Sequence, residues 1–486
     1  MAKHRMRDLV MVLPGITGSV LSERHGTKWE PLWDLSGGAV WQYLKSRGDS
    51  LQSLALDTHD PRTVVPPGSI DATGLVDGFH GVFGLAKIDG YGDMINEISN
   101  RFSVTVGRWD DDAPANLVPF PYDWRLSGRT SADRLDKAIG SKLNAWRDSE
   151  KDPGAKVILI AHSMGGLVAR YWLEVLGGWD RCRALVTFGT PFQGSLDAVG
   201  YVANGYKKAL VDLGDVLRSC PSVYELMPIY RAVNRDGTWL RPSEVTIPRA
   251  VDDYVRAAAD FHDEMKNAHA LNITNQKYLD GGYTVVPFIG VHQTTNQSAT
   301  ITDGKLVIDR TFPDWMDPDL EGGDGTVPRA AATPEETDTD PFGASFMGEQ
   351  HGSLQNNFYA LDDLIERMKQ SQARNIRDLQ GSWRPRTRAI DLIVDDLVLA
   401  DEDVTIQARG IAADGRTTID IGIQALVMSD TDCDFTPTTA TLTEGVDVLH
   451  ATVDGLPPGR YRVTVSAVEA GPAPPLPVTG VFEVAD

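Results

Sequence analysis

At 486 residues the chain exceeds what a single hydrophobic core fills, so a large and a small domain are expected. A formal net charge of -22 disfavours nucleic acid or an anionic membrane surface as partner and leaves apolar contact as the route to lipid. Three widely spaced cysteines, Cys182, Cys220 and Cys433, cannot all pair and fit a reducing compartment, which predicts a cytoplasmic location.

The N-terminal MAKHRMRDLVMVLPG sets basic residues ahead of an apolar run, as a secretory signal does, but the run is only LVMVL before Pro14 and Gly15 stop it. It reads as the first core strand. No later stretch reaches the roughly 18 to 20 apolar residues that span a bilayer. Further runs follow at NLVPF near 117, KVILIA near 157, ALVTFG near 185 and YTVVPFIGV near 285, alternating with stretches of helical period. That alternation predicts an α/β fold, a parallel sheet covered by helices. One helix is read from Leu135, Ile139, Leu143 and Trp146 with Ser131 as N-cap; a last one, from Phe358, Leu361, Leu364, Ile365 and Met368, closes the α/β body.

Residues 376–386 belong to a polar, arginine-rich stretch holding Gly381 and Pro385 and are read as a linker. Beyond it the pattern changes to short alternating segments separated by Gly, Pro, Asp and Thr, which predicts an all-β sandwich over 387–486. Tyr461 in P-P-G-R-Y-R-V-T-V resembles the tyrosine corner of immunoglobulin-like domains. This segment carries 17 acidic and 5 basic side chains, a balance of -12 out of -22, and shows no catalytic constellation, so recruitment of a protein partner is its expected role. The α/β domain is expected over 1–375.

Within it, V-I-L-I-A-H-S-M-G-G delivers Ser163 from an apolar run onto a helix-like stretch, LVARYWLEVL. Small residues at 161 and 165 let the backbone turn tightly and expose Oγ, the signature of a nucleophile elbow, with Ala161 replacing the more usual glycine. A serine needs a histidine to take its proton and a carboxylate to orient that histidine; in α/β-hydrolases these follow in the order serine, acid, histidine. Asp324, bracketed by glycines in G-G-D-G-T-V-P, and His351 in E-Q-H-G-S-L meet that order. Asp280, Asp309, Asp314, Asp317 and Asp319 lack the glycine setting, His292 precedes the acid, His262 and His269 fall on a probable cap helix, and His450 lies in the sandwich. An oxyanion requires backbone N–H donors: Met164 follows the nucleophile, and Ile16 lies between Gly15 and Gly18 in the loop after the first strand.

Taken in order, V-L-P-G-I-T-G-S, P-F-P-Y-D-W-R, A-H-S-M-G-G-L-V-A-R, F-G-T-P-F-Q-G-S, C-P-S-V-Y-E-L-M-P, G-G-D-G-T-V-P and Q-H-G resemble the lecithin:cholesterol acyltransferase-like lipases over residues 8 to 370. That family includes phospholipases A and phospholipid:diacylglycerol acyltransferases. The resemblance implies an α/β-hydrolase sheet, the triad Ser163, Asp324 and His351, oxyanion donors at Ile16 and Met164, and a cap and lid, which would fall at 195–275. Signal segments and disulfides of the secreted eukaryotic members are absent, and the acidic sandwich lies outside the resemblance.

Trp29, Trp33 and Trp41 cluster after the oxyanion loop, and Trp29 and Trp33 are taken as substrate contacts; Tyr201, Val202, Tyr206, Leu210 and Val211 fall in the lid. Asp123 and Arg125 read as a structural pair. The expected function is a serine esterase that hydrolyses acyl esters of lipids, phospholipids foremost, through an acyl-serine intermediate. Its substrate contact is peripheral and apolar, through the cap. Two alternatives stand beside it: a lipid O-acyltransferase with the same triad, and a hydrolase-fold interaction module whose triad is silent. No metal-ligand spacing or dinucleotide fingerprint occurs, so no cofactor is expected.

Overall fold

The computed structural model describes residues 3–485 apart from 35–48, 58, 67, 77–79, 83–85, 209–210, 337–343, 374–387, 413–416, 433, 445–447 and 469–473; the linker read at 376–386, Trp41, Leu210 and Cys433 lie outside the described residues. Six strands, β1 (Leu9–Leu13), β2 (Leu117–Pro119), β3 (Val157–His162), β4 (Cys182–Phe188), β5 (Thr284–Gly290) and β6 (Ser345–Met347), form one parallel sheet. Its order is β6-β5-β4-β3-β1-β2. The first five are the runs read from sequence. The last is three residues long, too short to announce itself by pattern.

Because successive side chains leave a strand on opposite faces, the sheet divides its apolar residues between two cores. Leu9, Met11, Leu13, Leu159 and Ala161 meet α1 (Gly128–Glu150) and α2 (Met164–Glu174) on one side. Val10, Val12, Ile158 and Ile160 meet α5 (Phe358–Ala373) on the other. This burial on both faces is why β3 is apolar throughout rather than alternating.

Two helix expectations are corrected. Helix α1 begins a turn earlier than Ser131: Ser127 is the N-cap, its hydroxyl accepting from the Arg129 N–H, while Ser131 is buried inside the helix. The apolar period starts only at Leu135, so the polar first turn was invisible to it. Phe358 opens α5 in the first turn, ahead of the stripe of Leu361, Leu364, Ile365 and Met368, and stands 71 % exposed.

Between β4 and β5 the chain leaves the sheet to build α3 (Leu196–Asn204), two short helices over Gly214–Ser219 and Pro221–Glu225, and α4 (Asp252–Asn272). Asp123 and Arg125 form a buried bidentate pair of 2.9 and 2.7 Å, with Arg125 also donating to the Leu54 carbonyl, which suits a loop tie. Among the described residues no helix is long and apolar enough to cross a membrane.

The C-terminal residues form two further sheets. In one, β7 (Ala389–Val394), β9 (Val404–Ile411), β13 (Leu449–Val453) and β12 (Thr443–Glu444) lie side by side, with a short strand at Thr418–Ile419 pairing β9. The other runs β8 (Leu397–Leu399), β15 (Val478–Ala485), β14 (Gly459–Ala467), β10 (Ile423–Ser429), β11 (Thr438–Thr441). Ile390, Leu392, Ile406, Val427, Val463 and Phe482 share one core from the two sheets. The Tyr461 hydroxyl donates to the Pro457 carbonyl over 2.7 Å.

This β unit is hydrogen-bonded to the α/β body. The Gln293 side-chain amide donates to Ile390 O (2.9 Å), that of Gln350 donates to Leu392 O (2.6 Å), and Arg462 makes a bidentate pair with Asp89 (2.7 Å each).

Candidate active site

The strand-to-helix turn after β3 holds Ser163 at φ 51, ψ -127, a backbone conformation that non-glycine residues rarely adopt. Its neighbours make the turn feasible: a Cβ on Gly165 would stand 2.5 Å from Pro14 O, so only glycine lets α2 approach the loop after β1. That same loop closes on the serine from the other side. A Cβ on Gly15 would fall 2.9 Å from Ser163 Cβ.

The three side chains selected from sequence converge. His351 Nε2 lies 2.9 Å from Ser163 Oγ, and His351 Nδ1 lies 2.7 Å from Asp324 Oδ2. Asp324, 1 % exposed, also accepts at Oδ1 from the Thr326 and Val327 N–H groups at 3.0 and 2.7 Å, and its carbonyl accepts from the His351 N–H at 2.8 Å. The D-G-T-V spacing therefore has a physical reading: the carboxylate is locked by its own downstream amides, leaving one oxygen for the imidazole. A carboxylate oxygen only accepts, so Nδ1 carries a proton, and in the neutral tautomer so fixed Nε2 is the nitrogen that can accept from the serine.

A second hydrogen-bonded line, unread in the sequence, surrounds these groups. His162 is fully enclosed, and its burial, with His351 next to it as a lesser cause, pushes its pKa down to about 3, so it stays neutral. Its Nε2 lies 3.0 Å from the His351 carbonyl and must donate; its Nδ1 then accepts from the Tyr91 hydroxyl at 3.0 Å, and the Tyr91 oxygen accepts from the Gly15 N–H at 2.8 Å. His162 stood inside the nucleophile motif and was a readable signal; Tyr91, 72 residues upstream of Ser163, carried none.

Ser163 and His351 open into a cavity of about 300 Å³, which Ile16 also lines. Met164 opens α2, so its N–H has no partner within the helix and lies beside Ser163. Tyr201 of α3 lines the cavity, as do Leu217 and Leu226 from the short helical segments. Asp197 lines it too and accepts from Asn296 Nδ2 at 2.7 Å; burial lifts its carboxyl to about 6.

The two tryptophans expected at the substrate are elsewhere. Trp33 is wholly buried, its ring 5.1 Å from that of Trp124 and its indole N–H donating to Thr17 O, while Trp29 is 42 % exposed. Both belong to the antiparallel hairpin of Ser19–His25 and Lys28–Trp33, four residues apart on one strand, and the register shift opposite Leu21 and Ser22 falls between them, so simple alternation does not hold; neither lines the cavity. Among the described residues no group of three His, Cys, Asp or Glu side chains is arranged to hold a metal ion.

The lecithin:cholesterol acyltransferase family matches residues 76–298 of this sequence. Over that segment the chain resembles this family. It is similar to phospholipase A(1) LCAT3 of Arabidopsis thaliana, 24 % identical over 403 residues that cover 67 % of this chain and 83 % of that protein. Among solved structures, the crystal structure of the Tle4–Tli4 complex contains a chain that superposes with a TM-score of 0.51 at 18 % identity, covering 77 % of this chain and 99 % of its own. That likeness is one of fold: a parallel sheet covered by helices, with Ser163 at the end of β3.

Proposed function

We propose that this chain is a serine esterase that hydrolyses acyl esters of lipids, glycerophospholipids foremost, through an acyl-Ser163 intermediate. The observation that carries the reading is the unbroken run from Asp324 Oδ2 through His351 to Ser163 Oγ, at 2.7 and 2.9 Å, at the floor of a cavity. Similarity to a phospholipase A(1) supports the substrate class.

In this mechanism Ser163 Oγ attacks the ester carbonyl as its proton passes to His351 Nε2, and Asp324 steadies the imidazolium. The N–H groups of Ile16 and Met164 receive the carbonyl oxygen as it becomes an oxyanion. Collapse breaks the bond to the alcohol, which leaves with the proton from Nε2. Water then enters, gives its proton to Nε2, attacks the acyl-serine and releases the fatty acid with Ser163 reprotonated. Acyl transfer to an alcohol differs only in the second nucleophile.

The segment 195–275 is read as the cap over this cavity, supported by the lining contributed by Tyr201, Leu217 and Leu226. The C-terminal unit is read as an immunoglobulin-like sandwich, supported by its two sheets around one core and the Tyr461–Pro457 bond.

The test is incubation with phosphatidylcholine labelled in the acyl chain, with and without added alcohol, beside labelling by a fluorophosphonate. Released fatty acid and probe labelling, both abolished in Ser163→Ala, are expected. Transesterified lipid in excess of free acid would reassign the chain as a transferase, and a wild-type protein that never labels would leave the triad silent.

A further inference from the structure

The β unit reaches the catalytic cavity itself. Leu392, Ile393 and Val394 of β7, together with Asp396, line the same 300 Å³ space as Ser163 and His351. No catalytic residue comes from this part of the chain, and nothing in its sequence pattern distinguished β7 from an ordinary sandwich strand. Its placement follows from how the strand is held.

Strand β7 reads A-I-D-L-I-V. Its even positions, Ile390, Leu392 and Val394, enter the sandwich core, so Asp391 and Ile393 project from the opposite face, toward the α/β body. Asp391 is 1 % exposed and fully engaged: it accepts from the Thr294 N–H at 2.9 Å and hydroxyl at 2.6 Å, and pairs with Arg409. A slip of one residue would drive that carboxylate into the apolar core, so the register is strongly fixed. Ile393 follows two residues on, on the same face. It is half-buried, and it borders the cavity.

The residues that grip β7 are chain neighbours of the reacting groups. Gln350, which precedes His351, donates to Leu392 O; Gln293, whose N–H donates to Gly323 O beside Asp324, donates from its side chain to Ile390 O and accepts from Leu392 N at 3.2 Å. Both catalytic loops are thus tied to the strand that carries Ile393.

We propose that β7 is the specificity wall of the cavity, with Ile393 as the side chain that limits the length of acyl chain accommodated beside Ser163. An apolar wall matches the apolar part of an ester. The polar grip of Gln293, Gln350 and Thr294 keeps that wall at a constant distance from the nucleophile. This deepens the esterase reading and rests on it for the catalytic readout.

The test uses the full chain with Ile393→Ala and Ile393→Trp, assayed on p-nitrophenyl butyrate, octanoate and palmitate. The quantity read is the ratio of kcat/KM for palmitate to that for butyrate, which cancels losses of active protein. Ile393→Trp is expected to lower the ratio about 10-fold and Ile393→Ala to raise it a few-fold, the range that small changes of volume in an apolar pocket produce. Fluorophosphonate labelling of each variant reports that the site has assembled.

A second measurement does not depend on turnover: binding of a dansylated fatty acid to Ser163→Ala protein, with and without Ile393→Trp. A tenfold weaker affinity in the double variant supports the wall even if the chain hydrolyses none of these esters, in which case the esterase reading alone fails. Wild-type ester ratios in labelled variants, or fatty-acid binding indifferent to residue 393, would overturn the proposal. Should the tryptophan variant not fold, the alanine variant decides by the same two readouts with the sign reversed.

Discussion

The Tyr91 hydroxyl and the His162 imidazole meet at 3.0 Å and join the loop after the first strand to the loop that bears His351. Through Gly15 N–H, Tyr91, His162 and the His351 carbonyl, the loop that in the proposed mechanism faces the oxyanion is held in register with the proposed base. Tyr91→Phe removes the acceptor for Gly15 and the donor to His162 at one stroke, leaving two buried polar groups unpaired at a cost of about 1–3 kcal/mol each. Tyr91 does not line the cavity that holds Ser163, so kcat is expected to fall at least tenfold with KM nearly unchanged. Steady-state kinetics on a soluble ester check this; a matching rise in KM with constant kcat contradicts the positioning role.

Asp324 is locked by its own downstream amides, so Asp324→Asn retains most of that scaffold while reversing the hydrogen-bonding demand on His351 Nδ1. The wrong tautomer then faces the serine. A loss of about 10,000-fold in kcat is expected, the scale at which this change acts in serine hydrolases. Pre-steady-state acylation by a p-nitrophenyl ester measures it directly.

Asp391→Ala removes the carboxylate to which Thr294 and Arg409 donate at the junction of the β unit and the body, leaving Arg409 only its bond to the Thr294 hydroxyl. Arg409 is partly exposed, which screens its share, so the expected loss is about 1–3 kcal/mol of unfolding free energy. Denaturant titration gives the stability. Activity should fall with it, because the same strand borders the cavity.

Helix α2, which Ser163 precedes, is fastened to α4 by Glu174, whose carboxylate accepts from His269, Tyr278, Tyr283 and Asn272. The bond to Glu174 raises the His269 pKa above its usual 6.5, against the pull of burial. Burial would raise Glu174 from 4.5, but the bonds from His269, Tyr283 and Asn272 override it and hold the value lower. A raised histidine contributes its full stabilisation below pH 6.5 and loses it as pH climbs through the raised value; a lowered glutamate contributes above pH 4.5 and loses it as pH drops through the lowered one. Stability from this cluster is therefore expected to peak between those limits. The alkaline loss, about 1 kcal/mol, should vanish in His269→Gln, as followed by urea unfolding across the pH range.

Much of this arrangement was legible before any coordinates. The apolar runs that became β1 to β5 are buried on both faces, and such strands are continuous blocks in sequence. Ser163, Asp324 and His351 were readable because each sits on a turn whose backbone demands glycines or small residues at fixed offsets. The tryptophans were misread since a hydrophobic cluster in sequence does not show the bulge that separates its members; Trp33 lies in the core and Trp29 at the surface. Contacts between residues far apart in sequence left no pattern at all. Tyr91 reaches His162 across 71 positions, and Gln350 meets Leu392 of a separate sheet, so neither the line through Tyr91 nor the β unit's share of the cavity was written in any local motif.

Ser163 occupies a left-handed backbone region that a serine enters only at a cost of about 1–3 kcal/mol. Glycine would sit there at ease, without the hydroxyl. At this one position durability and reactivity favour different residues, and the chain keeps the residue its own backbone likes less.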